Sequence, residues 1–276
     1  MLSQLHIAFI GSGVMAEAMI QGILNQKLME PGHIRCADPL PRRGAELHAR
    51  YGVHTGTDNA AAVQGADIVV LSVKPQVLKE VLAGLRGHIR PEQLVLSIVA
   101  GATTRTICAA LNHPAVIRVM PNTPARVGQG MSVWIRTPEV SDRDCERARV
   151  LLKALGREIQ VEHEEELDMA TALSGTGPAY VFLFMEALVD AGVHLGFSRR
   201  LAEELVLQTV KGSVEFAIQS RDKHLAELRN QVTSPGGTSA EALYQLEKGG
   251  LRTIISKAVF AAFKKSQYLS RLSADE

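Results

Sequence analysis

Aromatic residues make up only 4% of the 276-residue sequence, and there is a single Trp, so any core has to be assembled from aliphatic side chains. Hydrophobic residues nevertheless reach 46%. A core of Ala, Val, Ile and Leu suits parallel strands and close-packed helices. Cysteine is also scarce. Cys36, Cys108 and Cys145 are far apart and odd in number, which leaves neither the paired spacing of a zinc site nor a disulfide framework and fits a reducing cytoplasm. An excess of one charge is missing too: 30 basic against 29 acidic residues give a net charge of +1, no footprint for nucleic acid or an anionic membrane. No window is expected to reach the roughly 18 apolar residues of a membrane span. The first residues lack the basic flank and apolar stretch of an export signal. A small-molecule partner in the cytoplasm is the expectation.

What is present is a rhythm. Short apolar runs at Ile7–Ile10, Ile34–Ala37, 68–73, 94–99 and Val116–Met120 alternate with helical patterns at 14–24, 42–50, 77–85 and Thr104–Leu111. This is the βαβ pattern of a doubly wound, Rossmann-type parallel sheet. A strand at 131–135, a helix at 142–155 stopped by Gly156, and a strand at 158–161 complete the α/β part. Beyond the acidic stretch 162–168 the strand signal ends and helical periodicity takes over at 179–191, 198–220, 238–247 and 251–272. The expected division is a dinucleotide-binding α/β domain at 1–163 and an all-helical domain at 164–276, the latter binding substrate and forming the dimer contact.

The helix at 198–220 carries Leu201, Leu205, Val206, Val210, Val214 and Ala217 on one broad stripe, and 179–191 is apolar almost all round. A helix with no polar face must be covered on every side, by its own domain or by another subunit. A homodimer or higher homo-oligomer built through the helical domain is the expected assembly.

Gly11, Ser12, Gly13, Val14, Met15 and Ala16 match G-x-G-x-x-G/A directly after the first strand and at the start of a helix. The first Gly permits the tight turn, the second lets backbone approach a pyrophosphate, and the small Ala16 lets helix and strand pack closely. The helix N-terminus then meets the phosphates with free N–H groups. Asp38 ends the second strand, where a carboxylate accepts the ribose hydroxyls of NADH. Arg42 and Arg43 follow within one loop, and a guanidinium suits the extra 2′-phosphate of NADPH. The balance favours NADPH, with NADH tolerated.

Two loops lie beyond strands, where doubly wound folds bind ligands: Val73, Lys74 and Pro75, then Pro121, Asn122, Thr123 and Pro124. Their prolines stiffen the loops and remove backbone donors. In the helical part, Ser234, Pro235, Gly236 and Gly237 break the chain, and Thr238-Ser239-Ala240-Glu241 reads as a capping box with Thr238 as the cap. Free N–H groups beside side-chain-less glycines suit a carboxylate.

With Ser174-Gly175-Thr176-Gly177-Pro178-Ala179-Tyr180, these segments resemble the signature set of the pyrroline-5-carboxylate reductase family, in order and over essentially the whole chain. The resemblance implies that Asn59, Val73, Lys74, Ala100, Gly101 and Asn122 border the cofactor. It also implies that the loop 234–239 holds the substrate carboxylate. Ser239 stands where the family usually has Thr, which keeps the hydroxyl near the ring nitrogen and loses a methyl. The implied reaction moves a hydride from the dihydronicotinamide to the C=N carbon of 1-pyrroline-5-carboxylate and gives L-proline, the last step of proline biosynthesis. A protonated imine is already electrophilic, so alignment does most of the work. That accords with the lack of a metal site, a paired-carboxylate arrangement or a nucleophile triad in the sequence. His163 and His194 read as ordinary packed or surface residues, and Tyr180 as core packing with a hydroxyl in reach of the product nitrogen. The rival readings are a β-hydroxyacid dehydrogenase using Lys211 and a nucleotide sensor without turnover.

Overall fold

The computed structural model describes residues 2–275. They divide into two compact units, one made of Met1–Thr176 with Ala262–Glu276 and the other of Gly177–Ala261.

The first unit is built on a sheet of β1 (Ile7–Ile10), β2 (Ile34–Ala37), β3 (His54–Gly56), β4 (Ile68–Leu71), β5 (Leu94–Ser97), β6 (Val116–Met120), β7 (Gly130–Arg136) and β8 (Gly156–Gln160). Its order is β3-β2-β1-β4-β5-β6-β7-β8. β1, β4 and β5 are buried at every position, as expected for strands covered on both faces. The covering helices are α1 (Val14–Asn25), α2 (Pro41–Tyr51), α3 (Asn59–Val63), α4 (Pro75–Leu85), α5 (Thr104–Leu111) and α6 (Asp142–Lys153). Sheet and helices enclose two mainly aliphatic layers, one that also holds the aromatic Phe9 and Trp134 beside Ile7 and Ile20, the other around Ile10, Val69, Leu82 and Ile107.

Strands β1 to β6 are parallel, whereas β7 runs antiparallel to β6. Only a short 3₁₀ turn, Thr123–Val127, joins those two strands. Without a crossover helix the chain has to reverse. Strand β3 and helix α3 have no counterpart in the sequence reading, because His-Thr-Gly is short, exposed and carries no apolar signal. Gly156 does not stop α6. That helix ends at Lys153, and Gly156, at φ +138, opens β8 so close to Gly130 that a Cβ would lie 2.5 Å from its nitrogen.

After β8, α7 (Glu165–Ala170) leads through a π turn at Thr171–Gly175 into α8 (Gly177–His194). An 18-residue window within Glu165–His194 reaches a mean hydropathy of 1.3, so this helical run is long and apolar enough to cross a membrane by length and composition alone. Its Gly, Ser and Thr residues interrupt a strictly apolar run without lowering the average much.

The second unit contains α8, α9 (Arg199–Gln219), α10 (Leu225–Gln231), α11 (Thr238–Lys248) and the start of α12 (Leu251–Asp275), whose end belongs to the first unit. Helices α8 and α9 approach closely at Gly192, where a Cβ would meet that of Ala202 at 3.1 Å. Little of their apolar surface is covered within the chain: Val189 is the buried residue of α8 and Ala202 that of α9. Phe182 is 62% exposed and Leu183 66%, and Leu201, Leu205 and Val214 of the expected stripe are exposed as well.

Candidate active site

Strand register brings the first unit's site residues to one edge. Ile10 pairs with both Ala37 and Leu71, Leu71 pairs with Ser97, and Ala37 with Gly56. The turns that follow these residues therefore leave the sheet side by side, at strand spacings of about 4.8 Å. They carry Gly11 to Gly13, Asp38, Asn59, Ser72 to Pro75 and Ala100 to Gly101. β6 ends two residues beyond its pairing with Ser97 and delivers Asn122 to the same edge. The reversal of strand order between β1 and β4 falls at the glycine turn, where such sheets bind dinucleotides.

The glycine turn is fixed from behind. Gly11 has φ +91, and a Cβ there would lie 2.8 Å from the Ser72 carbonyl oxygen. Ser72 Oγ donates to the Gly11 carbonyl at 2.7 Å and contacts that of Ile10 at 3.1 Å, a support that the sequence reading missed. Gly13 is the N-cap of α1 without a side-chain cap, and the position its Cβ would occupy is open. Among the described residues the N–H groups of Gly13, Val14 and Met15 have no protein acceptor. Ala16 is buried. Open space in front of Gly13 and unused donors at a helix N-terminus fit a dinucleotide pyrophosphate.

Asp38 ties two turns together, accepting the Ser12 N–H at 2.9 Å and the Leu40 N–H at 3.0 Å. The two arginines part company. Arg42 reaches outward, 91% exposed, and pairs with Glu46 at 3.1 Å. Arg43 folds back, donating to the Ser12 carbonyl at 2.7 Å and to Glu17 at 2.5 Å. Glu17 also accepts from Arg50 and, at 3.0 Å, from Tyr51. Burial pulls the Glu17 carboxyl upward, but the bonds from Arg43 and Tyr51 and the two guanidinium charges outweigh it and hold it below its ordinary value. The buried Ser12 hydroxyl has the weakly bonding Cys36 thiol beside it, and burial pushes that thiol up to about 12, so it stays protonated.

Lys74 is the exposed N-cap of α4 and Pro75 its first residue, while Asn59 opens α3 behind the Asp58 cap. Gly101, at φ +78, is buried and Ala100 half-buried. The Asn122 amide is engaged at both atoms: Nδ2 donates to the Ser174 carbonyl at 3.0 Å, and Oδ1 accepts the Met131 N–H at 2.8 Å. Asn122 thus anchors its loop to the π turn. Two surface grooves, of about 650 Å³ between α4 and α5 and about 420 Å³ beside β3, do not include the glycine turn.

In the second unit, Gly237 N–H donates to the Ser234 carbonyl at 3.0 Å, with Pro235 and the positive-φ Gly236 between them. Those features define a type II turn. The capping box expected with Thr238 as cap is not formed. The N-cap is Gly237, without a side-chain bond, and Thr238 is already helical. The Gly237 carbonyl accepts from Ala240 at 3.1 Å and Glu241 at 3.3 Å, and among the described residues the N–H groups of Thr238 and Ser239 have no protein acceptor. Lys211 is exposed on α9.

A family model described as pyrroline-5-carboxylate reductase dimerisation matches residues 164–269. A second, described as NADP oxidoreductase, coenzyme F420-dependent, matches residues 6–101. The pyrroline-5-carboxylate reductase of Pseudomonas aeruginosa is 41% identical over 270 residues, covering 98% of both chains. The chain belongs to the pyrroline-5-carboxylate reductase family. The family's enzyme from Synechocystis is 40% identical, over 97% of this chain and 99% of its own. The Plasmodium falciparum pyrroline carboxylate reductase, solved with NADP bound, has a TM-score of 0.90 at 32% identity, covering 98% of this chain and all of its own. As a family member the chain is an NADP-dependent oxidoreductase with an α/β domain and a helical dimerisation domain. The dimerisation match supports a homo-oligomer, and it spans α8 and α9 with their exposed apolar faces.

Proposed function

We propose that this chain reduces the C=N bond of 1-pyrroline-5-carboxylate with NADPH and so makes L-proline. The observation that carries the reading is near-complete coverage by pyrroline-5-carboxylate reductases at about 40% identity, joined to a glycine turn whose open face suits a pyrophosphate. When bound, NADPH would supply the hydride for the ring carbon and be oxidised to NADP⁺, with the protonated imine nitrogen becoming the amine.

The residues have separate tasks in this reading. Gly11, Ser12, Gly13, Val14, Met15 and Ala16 hold the pyrophosphate, and Asp38 faces the adenosine ribose. The 2′-phosphate falls to Arg42, because Arg43 is committed to Ser12 and Glu17. Asn59, Val73, Lys74, Pro75, Ala100, Gly101 and Asn122 line the rest of the cofactor edge. Ser234, Pro235, Gly236, Gly237, Thr238 and Ser239 bind the imino acid: backbone N–H groups take its carboxylate and the Ser239 hydroxyl orients the ring nitrogen. The division at residue 163, with cofactor on one side and substrate and dimer contact on the other, belongs to the same proposal. So do an assembly that is a homodimer or larger, with neither nucleic acid nor membrane as partner, and a cytoplasmic location.

The rival readings fare worse. Lys211 as a dehydrogenase lysine leaves the Pro-Gly-Gly turn without a purpose, and a sensor without turnover has no need of it. The test is loss of the reduced-nicotinamide absorbance on adding 1-pyrroline-5-carboxylate, with NADPH and NADH in parallel. Rapid oxidation is expected, faster with NADPH. A folded chain that binds nucleotide yet oxidises neither would overturn the reading.

A further inference from the structure

Arg118 is an anomaly in its strand. It stands in the run Val-Ile-Arg-Val-Met of β6 and is only 4% exposed, where a guanidinium needs anions around it. Two carboxylates face it, both from the segment that follows β8. Arg118 Nη1 donates to Glu164 Oε1 at 2.9 Å, and Nη2 lies 3.8 Å from Asp168 Oδ1.

Each carboxylate is tied to something else. Glu164 accepts the Thr104 N–H at 2.8 Å and the Thr104 hydroxyl at 2.9 Å, gripping the chain where α5 begins. Asp168, also buried, accepts the hydroxyls of Ser266 at 2.7 Å and Ser270 at 3.0 Å, both buried and one turn apart near the end of α12. Between those serines Leu269 packs against the loop after β5: a Cβ at Gly101 would lie 3.0 Å from the Leu269 Cβ. The loop is thus held at Gly101 by α12 and at Thr104 by Glu164, with the Arg118 guanidinium between the two carboxylates.

The held loop lies on the cofactor edge, since β5 leaves the sheet in register with β4, and β4 in register with β1 and the glycine turn. Buried Arg118 and Asp168 with half-buried Glu164 form a costly arrangement for simple packing, because apolar residues of like volume serve that purpose as well or better. We infer that the end of α12 is a latch that positions the 98–104 loop against the cofactor, with Asp168 and Arg118 as positioning residues acting through that loop. The inference rests on the functional reading above and adds to it residues outside the cofactor and substrate contacts.

The test replaces Ser266 and Ser270 together by Ala in the full chain. The measurements are kcat, the KM values for NADPH and the imino acid, the primary isotope effect with NADPH deuterated at the transferred position, and the NADPH bound per chain. Misalignment of donor and acceptor by 1 Å costs up to ~100-fold in rate. A looser loop is expected to lower kcat about tenfold and raise the isotope effect as hydride transfer becomes limiting. NADPH bound per chain stays unchanged. If the double variant does not fold, Ser270→Ala alone keeps the Ser266 bond and should show the same changes in smaller measure. Unchanged kcat and isotope effect, or a fall in kcat matched by an equal fall in nucleotide-binding chains, would overturn the latch. A wild-type chain unable to oxidise NADPH with the imino acid would sink the functional reading instead, so the two failures are told apart.

Discussion

Arg43 donates its Nε–H to the Ser12 carbonyl at 2.7 Å, so a side chain from α2 holds the middle of the glycine turn. Its neighbour Arg42 makes no such contact and reaches into solvent. The two should behave differently when removed. A charge-assisted hydrogen bond is worth ~1.5–3 kcal/mol, so Arg42→Ala is expected to raise the KM for NADPH at least tenfold and leave that for NADH alone. Arg43→Ala should weaken both nucleotides together, because it loosens the turn they share. Steady-state kinetics with both cofactors decide it. Equal losses of NADPH and NADH in Arg42→Ala would remove Arg42 from the 2′-phosphate.

The two glycines of that turn answer to different constraints. A side chain on Gly13 enters open space, so Gly13→Val should fold normally and lose nucleotide binding through obstruction of the pyrophosphate. A side chain on Gly11 meets the Ser72 carbonyl and adopts an unfavourable φ, so Gly11→Ala should lower the melting temperature as well. Thermal melts beside nucleotide titrations separate the cases. A Gly13→Val chain that binds NADPH normally would refute the assignment of this turn.

Glu17 gives the first unit an acid-sensitive tie. Its carboxyl titrates lower in the folded chain than in the unfolded one, because the bonds and charges of Arg43, Tyr51 and Arg50 outweigh its burial. Below the folded pKa both states bind the proton and the advantage vanishes. The stabilisation is therefore fully present above the unfolded value of about 4.3 and is lost as pH falls from there through the lowered folded pKa. Glu17→Gln should lower the melting temperature near neutrality and flatten its fall on acidification. A variant whose melting curve keeps the wild-type acid slope would show that other carboxylates govern it.

The glycine turn was legible in the sequence because everything it needs is local: an apolar strand before it, helical spacing after it, and a six-residue motif, Gly11 to Ala16, that joins the two. The strands from Ile7 to Met120, β3 excepted, were legible for the same reason. What could not be read depends on distant partners. Nothing near Arg43 announces Glu17, 26 residues earlier in the chain, or separates Arg43 from Arg42. Thr238 looked like the cap because Glu241 stands three residues on, yet the type II turn at Pro235 and Gly236 hands the role to Gly237. Arg118 was the one visible clue to its buried network, a charge inside an apolar strand.

The uncovered face of α8 makes the assembly testable. Phe182 and Leu183 are 62% and 66% exposed in the single chain, and burying such a side chain is worth ~1.5–3 kcal/mol. Leu183→Glu places a charge in an apolar contact in every subunit. Analytical ultracentrifugation should show it shifted toward monomer at concentrations where the wild type is fully assembled. An unchanged assembly would place the contact on another face.

Ser239 bears on the chemistry more directly than any of these. It is the second residue of α11, beyond the Gly237 cap, and its hydroxyl does not cap the helix. Removing it should therefore cost the helix little, unlike a true cap, whose loss costs ~0.5–2 kcal/mol. If the hydroxyl orients the ring nitrogen, Ser239→Ala should slow imine reduction tenfold or more, the order that misplaced reactants cost. NADPH affinity and melting temperature should remain near wild type. Ser239→Thr restores the hydroxyl and should recover most of the rate. Normal turnover in Ser239→Ala would leave binding of the imino acid to the backbone N–H groups of the turn alone.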